Sequence, residues 1–553
     1  MSKKLNRLLA EANQTYHAGL YEVAAKKFKK ITTLEPRNLD AWLKLGDIHM
    51  RFEQFEEALQ IYANLVESNS LNTVILSNFG AALLRCGHLG EAEKVLRYAI
   101  ELDPKNVNAR INLGNIFQNK NDRQGALNNA LEAVAADNTS ALAFNNLGCA
   151  LGGLMMSAEA RHAYQTAVML DNSLIDSRIN LAQIESQLGN NQQALQLYQD
   201  VLSIMTPESR LKSNMVNYYA SYCYLALGNL PQGWDNYEHG FSSIVPLNAR
   251  RHPARTFVMP AWDGSPLKGR RLLIWREQGI GDELLFGSCL HELLAQDGQI
   301  ILECSDRLVT PFRRSFPSFL VRPDYVYSEG LTPIKVAANY TDFDVHLPIG
   351  SLPKFFRRQF QDFDRSVPFI IPPPTGVKNF QERLLPYKNT SLIGICWRSG
   401  LLAVDRNTEY TLLDDWGDIF NLQGCTFVNL QYGDCEAELL EAEARFNIKI
   451  MRWADLDLKN DLDNVFALIS CLDLVVTAGT AVCPMSAAVG KPTLLIQSRW
   501  DWPNLGTRYY PWFSNIHCFT AEPGQIVATC IETVAAYLAE HFKIVPSNGQ
   551  TTD

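Results

Sequence analysis

The chain has 553 residues, a net charge of −9, 47% hydrophobic residues and 20% charged ones. That length exceeds what one hydrophobic core supports, so several domains are expected. The acidic balance excludes non-specific nucleic-acid binding, which needs a basic surface, and no apolar run approaches the ~18–20 residues that span a bilayer.

The N-terminus, MSKKLNRLLAEANQTY, interrupts its apolar residues with Asn6, Arg7 and Glu11, so it reads as an amphipathic helix and not as a signal peptide. Twelve scattered cysteines without a CxxC pair suit a reduced, cytoplasmic protein. The ten histidines lack HxxxH or HExxH spacing, so no metal is expected.

Alanines recur every 34 residues at Ala24, Ala58, Ala92, Ala126, Ala160 and Ala194, and Gly46, Gly80, Gly114 and Gly148 keep the same interval. Four residues after most of the alanines stands a larger apolar residue: Phe28, Tyr62, Leu96, Tyr164, Tyr198. This is the tetratricopeptide pattern of stacked antiparallel helix pairs. Small residues let the helices of a pair cross closely, and the larger ones fill the gaps. About six repeats are expected over residues 1–206. Asn112, Asn115, Asn145, Asn146 and Asn180 fall on or near first helices, which line the groove of such an array. Their amides could grip a peptide backbone, since each offers donors and an acceptor; a merely solvated face is the alternative.

Residues 207–267 read as capping helices and a linker laid over a surface. A first α/β lobe follows over 268–388. Leu272–Trp275 reads as a strand, the loop carries Gly279 and Gly281, and a helix begins near Asp282. Gln299–Cys304 and Asp342–Gly350 add strands. The run KFFRRQF reads as a solvated face, and residues 366–388, with three consecutive prolines at Pro372–Pro374, as a hinge.

A second lobe is expected over 389–545, with strands at Ser391–Trp397, Cys425–Leu430, Leu472–Thr477 and Pro492–Gln497. Its loops carry Arg398-Ser399-Gly400, Arg406, Gln431 and Thr477 to Ala481. The helix start after Thr480 invites an anion through its backbone N–H groups and dipole, with Arg398, and more weakly Arg406, converging on it. An N-cap is the plain alternative for Thr480. Of the late aromatics, Trp502 and Trp512 are the ligand-facing candidates and most others read as packing. The tail 546–553 reads as disordered.

The fold class is therefore α plus α/β. Tetratricopeptide repeats followed by two such lobes resemble the repeat-containing GT-B glycosyltransferases, the group that includes O-GlcNAc transferase. The motifs Trp262-Asp263-Gly264, Glu277-Gln278-Gly279-Ile280-Gly281-Asp282, Trp397-Arg398-Ser399-Gly400 and Thr480-Ala481-Val482 are similar to bacterial repeat proteins with a heptosyltransferase-like module.

The resemblance implies a metal-independent, inverting transferase with no cofactor beyond its nucleotide-sugar donor. Its acceptor would be a protein hydroxyl, flagellin-like for example, brought by the repeat groove, and a homodimer is conceivable. Carried over, Asp282 would be the general base with Glu277 in reserve, and Gly279 and Gly281 would lie on the acceptor side. Arg398, Ser399, Gly400, Gln431, Thr477, Gly479, Thr480, Ala481 and Trp502 would lie on the donor side. The sequence departs from that group at Gly479 and Pro484, where relatives carry an aspartate and a histidine. The rival readings are a catalytically weakened scaffold and a transferase acting on a glycan or lipid.

Overall fold

The structure is a computed structural model that describes residues 3–68, 71–206, 209–324, 334–335, 342–400, 410–522, 525–542 and 545–546. The chain divides into two compact units, Met1–Leu188 and Gly189–Asp553.

In the first unit, helices of 13–15 residues alternate with tight turns from Lys3–His17 to Ile175–Gln187. The 34-residue period has a physical content beyond the small residues. Asn38, Asn72, Asn106 and Ser140 stand one period apart, and each accepts a backbone N–H from the first turn of the helix it precedes. In the next period the position is Leu174, with no side-chain cap. Gly46 lies under the ring of Tyr62, and Gly148 under that of Tyr164. A methyl group at Gly148 would stand 2.5 Å from the ring, so the glycine is what permits the crossing.

The second unit opens with the helices Asn191–Ile204, Ser213–Ala226 and Leu230–Tyr237. The unit boundary thus falls inside the sixth repeat, earlier than the expected end at residue 206.

Next comes a parallel sheet of β1 (Arg271–Trp275), β2 (Gln299–Cys304), β3 (Leu320–Pro323) and β4 (Val345–Pro348), in the order β3-β2-β1-β4. The second lobe has β5 (Ser391–Cys396), β6 (Cys425–Asn429), β7 (Ile450–Met451), β8 (Leu474–Ala478), β9 (Thr493–Gln497) and β10 (Ile516–Thr520). All six are parallel in the order β7-β6-β5-β8-β9-β10, the doubly wound arrangement. The strands β3, β7 and β10 add to those expected from sequence. Strands buried on both faces read as continuous apolar runs: Ile393 and Ile395 pack on one side of the second sheet, Leu392 and Cys396 on the other.

Three expectations need correction. Residues 366–388 are not irregular throughout: Pro374 occupies the first turn of the helix Pro374–Leu384, which packs on Leu462–Ser470. The basic run is not all solvated, since Arg357 is fully buried and bonded to Glu292. In the tail, Pro546 pairs with Leu422 in a short antiparallel bridge, and 547–553 lie outside the described residues.

Candidate functional site

In each sheet the strand order reverses beside its first strand, and that is where doubly wound sheets place ligands, outside the carboxyl ends. In the first lobe the point lies beyond Trp275, in register with Pro348. In the second it lies beyond Cys396, in register with Thr477. Both open on one cleft of about 980 Å³ within the second unit. Gly279, Gly281 and Asp282 line it from the first lobe, and Ser399, Gly479, Thr480, Ala481 and Trp502 from the second. The lobes touch at its floor: a methyl group on Gly281 would stand 3.6 Å from the Ala481 Cα.

Asp282 sits in the first turn of the helix Ile280–Gly287 and is half-buried. Its Oδ2 accepts the Gly279 N–H at 3.1 Å, so the helix-cap role is real. Desolvation nevertheless raises its carboxyl above the ordinary range, against the lowering effect of that hydrogen bond; the nearby Glu277 raises it further. The preceding Gln278 holds φ +60° and donates its N–H to the His252 carbonyl at 2.7 Å, which ties the loop to the connecting segment. A left-handed non-glycine residue at a cleft is a mark of a constrained loop.

Several expected site residues do not reach the cleft. Glu277 is fully buried and gripped by Arg251, whose Nε and Nη2 donate at 2.7 and 2.5 Å, while the Gly350 N–H donates at 2.8 Å. It neutralises a buried guanidinium and cannot serve as a reserve base.

Arg398 is turned away from the cleft. It is paired with Glu438 (Nε to Oε2, 3.0 Å) and donates to the Asp434 carbonyl at 2.9 Å. Gln431 is buried; its Oε1 accepts the N–H groups of Trp397 and Arg398 at 3.2 and 3.1 Å, so it fixes the loop and does not read a ligand. Thr477 is fully buried and donates to the Ala478 carbonyl at 2.9 Å. Gly400 makes room for the Tyr432 ring, which a methyl group would meet at 2.6 Å. Arg406 lies outside the described residues.

The anion-binding helix start is also changed. The Val482 N–H donates to Thr480 Oγ1 at 3.3 Å and the Cys483 N–H to the Thr480 carbonyl at 3.1 Å. Pro484 has no N–H at all. The Val482 and Cys483 N–H groups are therefore both spent on Thr480 within the turn.

Other residues line the cleft instead. Asn248 and His252 come from the segment read as a surface linker. Among the described residues, Arg307, Lys459 and Arg499 supply the cleft's cations. Arg307 Nη1 donates to the Lys459 carbonyl at 2.9 Å and so links the lobes. Arg499 faces Asp501 at 3.6 Å. None of these falls in a motif, so no local pattern marks them. Beneath the loop, burial pushes the Glu283 carboxyl up to about 7 against the Arg276 guanidinium. Trp502 shows one edge to the cleft and packs against Phe286, Tyr222, Trp234 and Trp512.

In the first unit, Asn112 and Asn115 lie on the helix Val107–Asn119, and Asn145 and Asn146 on Ala141–Gly153; all four are partly buried. Asn145 Oδ1 accepts from Asn180 Nδ2 at 3.0 Å and from Ser177 Oγ at 3.1 Å, which links first helices of adjacent repeats. The asparagine ladder exists, and part of its capacity is spent within the array.

Tetratricopeptide repeat profiles match residues 16–72 and 174–206. The N-terminal region is a tetratricopeptide repeat array. The chain is similar to Protein FlbA of Caulobacter vibrioides, 27% identical over 529 residues that span 93% of this chain and 86% of that protein, so the likeness extends into the α/β region. It is also similar to the BBSome complex member BBS4 homolog of Drosophila melanogaster, 21% identical over 149 residues, 27% of this chain and 31% of that one. Among solved structures, the APC/C hetero-tetramer Cut9–Hcn1 aligns with a TM-score of 0.39 at 18% identity, covering 44% of this chain and 47% of that one. The chain thus spans less than half the length of these last two. Among the described residues no helix is long and apolar enough to cross a membrane.

Proposed function

We propose that the chain is a GT-B glycosyltransferase that moves a sugar from a nucleotide donor to a protein hydroxyl recruited by its repeats. One observation carries the reading: two doubly wound parallel sheets open their ligand-binding edges onto a single cleft of about 980 Å³. That volume lies at the upper end of the ~300–1,000 Å³ usual for small-ligand sites, as a nucleotide sugar with its acceptor requires.

In the transfer, the acceptor oxygen bonds to the sugar's anomeric carbon while the bond from that carbon to the donor phosphate breaks. Asp282 takes the acceptor proton, and its raised carboxyl makes it a stronger base than an exposed aspartate. Arg307, Lys459 and Arg499 replace Arg398 as the groups that stabilise the departing phosphate. Incubation with a panel of nucleotide sugars, read by thermal stabilisation and nucleotide release, tests the reading. Stabilisation and release are expected with at least one donor, and both should weaken in Lys459→Ala. No stabilisation by any donor would sink it.

A second reading, a scaffold whose cleft binds without turning over, is favoured by the spent helix start and by Pro484. It predicts stabilisation without nucleotide release under the same conditions.

A further inference from the structure

A second cavity of about 490 Å³ lies between residues 189–193, at the start of the helix Asn191–Ile204, and the loop Trp500–Arg508, beside the helix end at Leu227. We propose that it is a separate binding site for a neutral saccharide chain. The inference goes beyond the transfer reaction and does not depend on it.

The lining chemistry argues for this class. Gln192 is exposed at the rim, and its amide offers both donors and an acceptor to sugar hydroxyls. Trp500 is 37% exposed on the opposite wall, an aromatic face against which the apolar side of a pyranose can stack. Asp501 and Arg508 bring one charge of each sign, so the pocket favours neither an anion nor a cation. Beyond Trp500 the apolar lining is limited to Ala226 and Leu227, which gives a peptide little to anchor in.

The wall is also preformed. Gly506 holds φ +76°, and a methyl group there would meet the Gly228 nitrogen at 2.8 Å, so loop backbone lies directly on helix-end backbone. Asp501 and Asn504 line this cavity and the large cleft alike. A bound glycan would therefore touch the loop that carries Trp502 into the cleft.

The test is saturation-transfer NMR on the full chain with two neutral probes, N,N′-diacetylchitobiose and maltotriose. The comparison ligands are inorganic phosphate and an acetylated, amidated Ser-Gly hexapeptide. Transfer to at least one sugar is expected, falling fivefold or more in Trp500→Ala and in Gln192→Ala, with neither comparison ligand bound. Both substitutions are at exposed positions, and unchanged melting curves check that the fold is intact. No transfer to either sugar overturns the proposal, as does transfer that survives Trp500→Ala unchanged. So does binding of the peptide, but of neither sugar, that Trp500→Ala abolishes.

Discussion

At the cleft, one carboxylate serves the fold and the proposed chemistry in opposite directions. The hydrogen bond from the Gly279 N–H favours the charged form of Asp282, whereas desolvation and Glu277 favour the neutral one, and the balance is a raised carboxyl. The group binds its proton more tightly folded than unfolded, so its contribution to stability is present at acidic pH and lost as pH rises past the unfolded carboxyl range near ~4. Asp282→Asn should therefore melt above the wild type at pH 7–8, with the advantage shrinking as pH falls, in pH-resolved calorimetry. The same variant should lose about 10²–10⁴-fold in kcat while nucleotide-sugar affinity stays within about threefold. Arg398→Ala should do the reverse: nucleotide affinity unchanged, and about 2 kcal/mol of stability lost, because Glu438 and the Asp434 carbonyl lose their donor. Thermal melts and binding titrations separate these outcomes. The contrast shows what sequence could tell of the site. Asp282, Gly279, Gly281, Thr480 and Ala481 were legible because loops after parallel strands must meet at the cleft. That Arg398 and Glu277 pair off the cleft was not legible, because their partners, Glu438 and Arg251, stand 40 and 26 residues away, and no local pattern announces a pairing at that separation.

The repeat helices show the same logic at the level of elements. In three pairs a glycine on the first helix faces the residue sixteen positions later on the second: Gly46 meets Tyr62, Gly80 meets Leu96 and Gly148 meets Tyr164. Gly114 is the exception. Its counterpart is Ala130, and a methyl group there finds only ordinary contacts, Asn129 Cβ at 3.9 Å and the Ala126 carbonyl oxygen at 4.0 Å. One substitution should therefore have opposite signs in neighbouring repeats. Gly148→Ala drives a methyl group into the Tyr164 ring and should cost about 1–3 kcal/mol. Gly114→Ala should stabilise by up to about 1 kcal/mol, since alanine is the better helix former. Denaturant unfolding of the repeat unit distinguishes the two, and equal effects would mean that the facing residue does not set the tolerance. The period itself was fully legible, because close packing repeats with the sequence. The strands β3 and β10 were less so: Leu320–Pro323 is four residues long, and Ile516–Thr520 carries a half-exposed pattern that does not read as a buried run.

For the whole molecule, the period and the compact units divide the chain at different places. The alanine register runs on to Ala194, yet the compact unit that holds the cleft begins at Gly189. Helix Asn191–Ile204 packs within it: Tyr198, fully buried, sets its ring 6.4 Å from that of Tyr219 on the following helix. Tyr219 lies outside the periodic pattern, so sequence alone could not show which unit claims the helix. Two truncations separate the periodic boundary from the packed one. A fragment of residues 189–553 keeps that contact and, on the proposed function, should show the same rise in melting temperature with a nucleotide sugar as the full chain. A fragment of residues 207–553 strips the covering helix from Tyr219 and bares its apolar face, and should melt several degrees lower or aggregate. Transfer assays then isolate the work of the repeats. Activity on a small hydroxyl acceptor should survive in 189–553, because both lobes and their cleft are intact. On the proposed function, activity on a folded protein should fall by at least tenfold, because an acceptor bound to the same chain gains an effective concentration that a freely diffusing one lacks. If 189–553 modifies the folded protein as fast as the full chain, the array does not deliver the acceptor, and its groove must be assigned to a different partner.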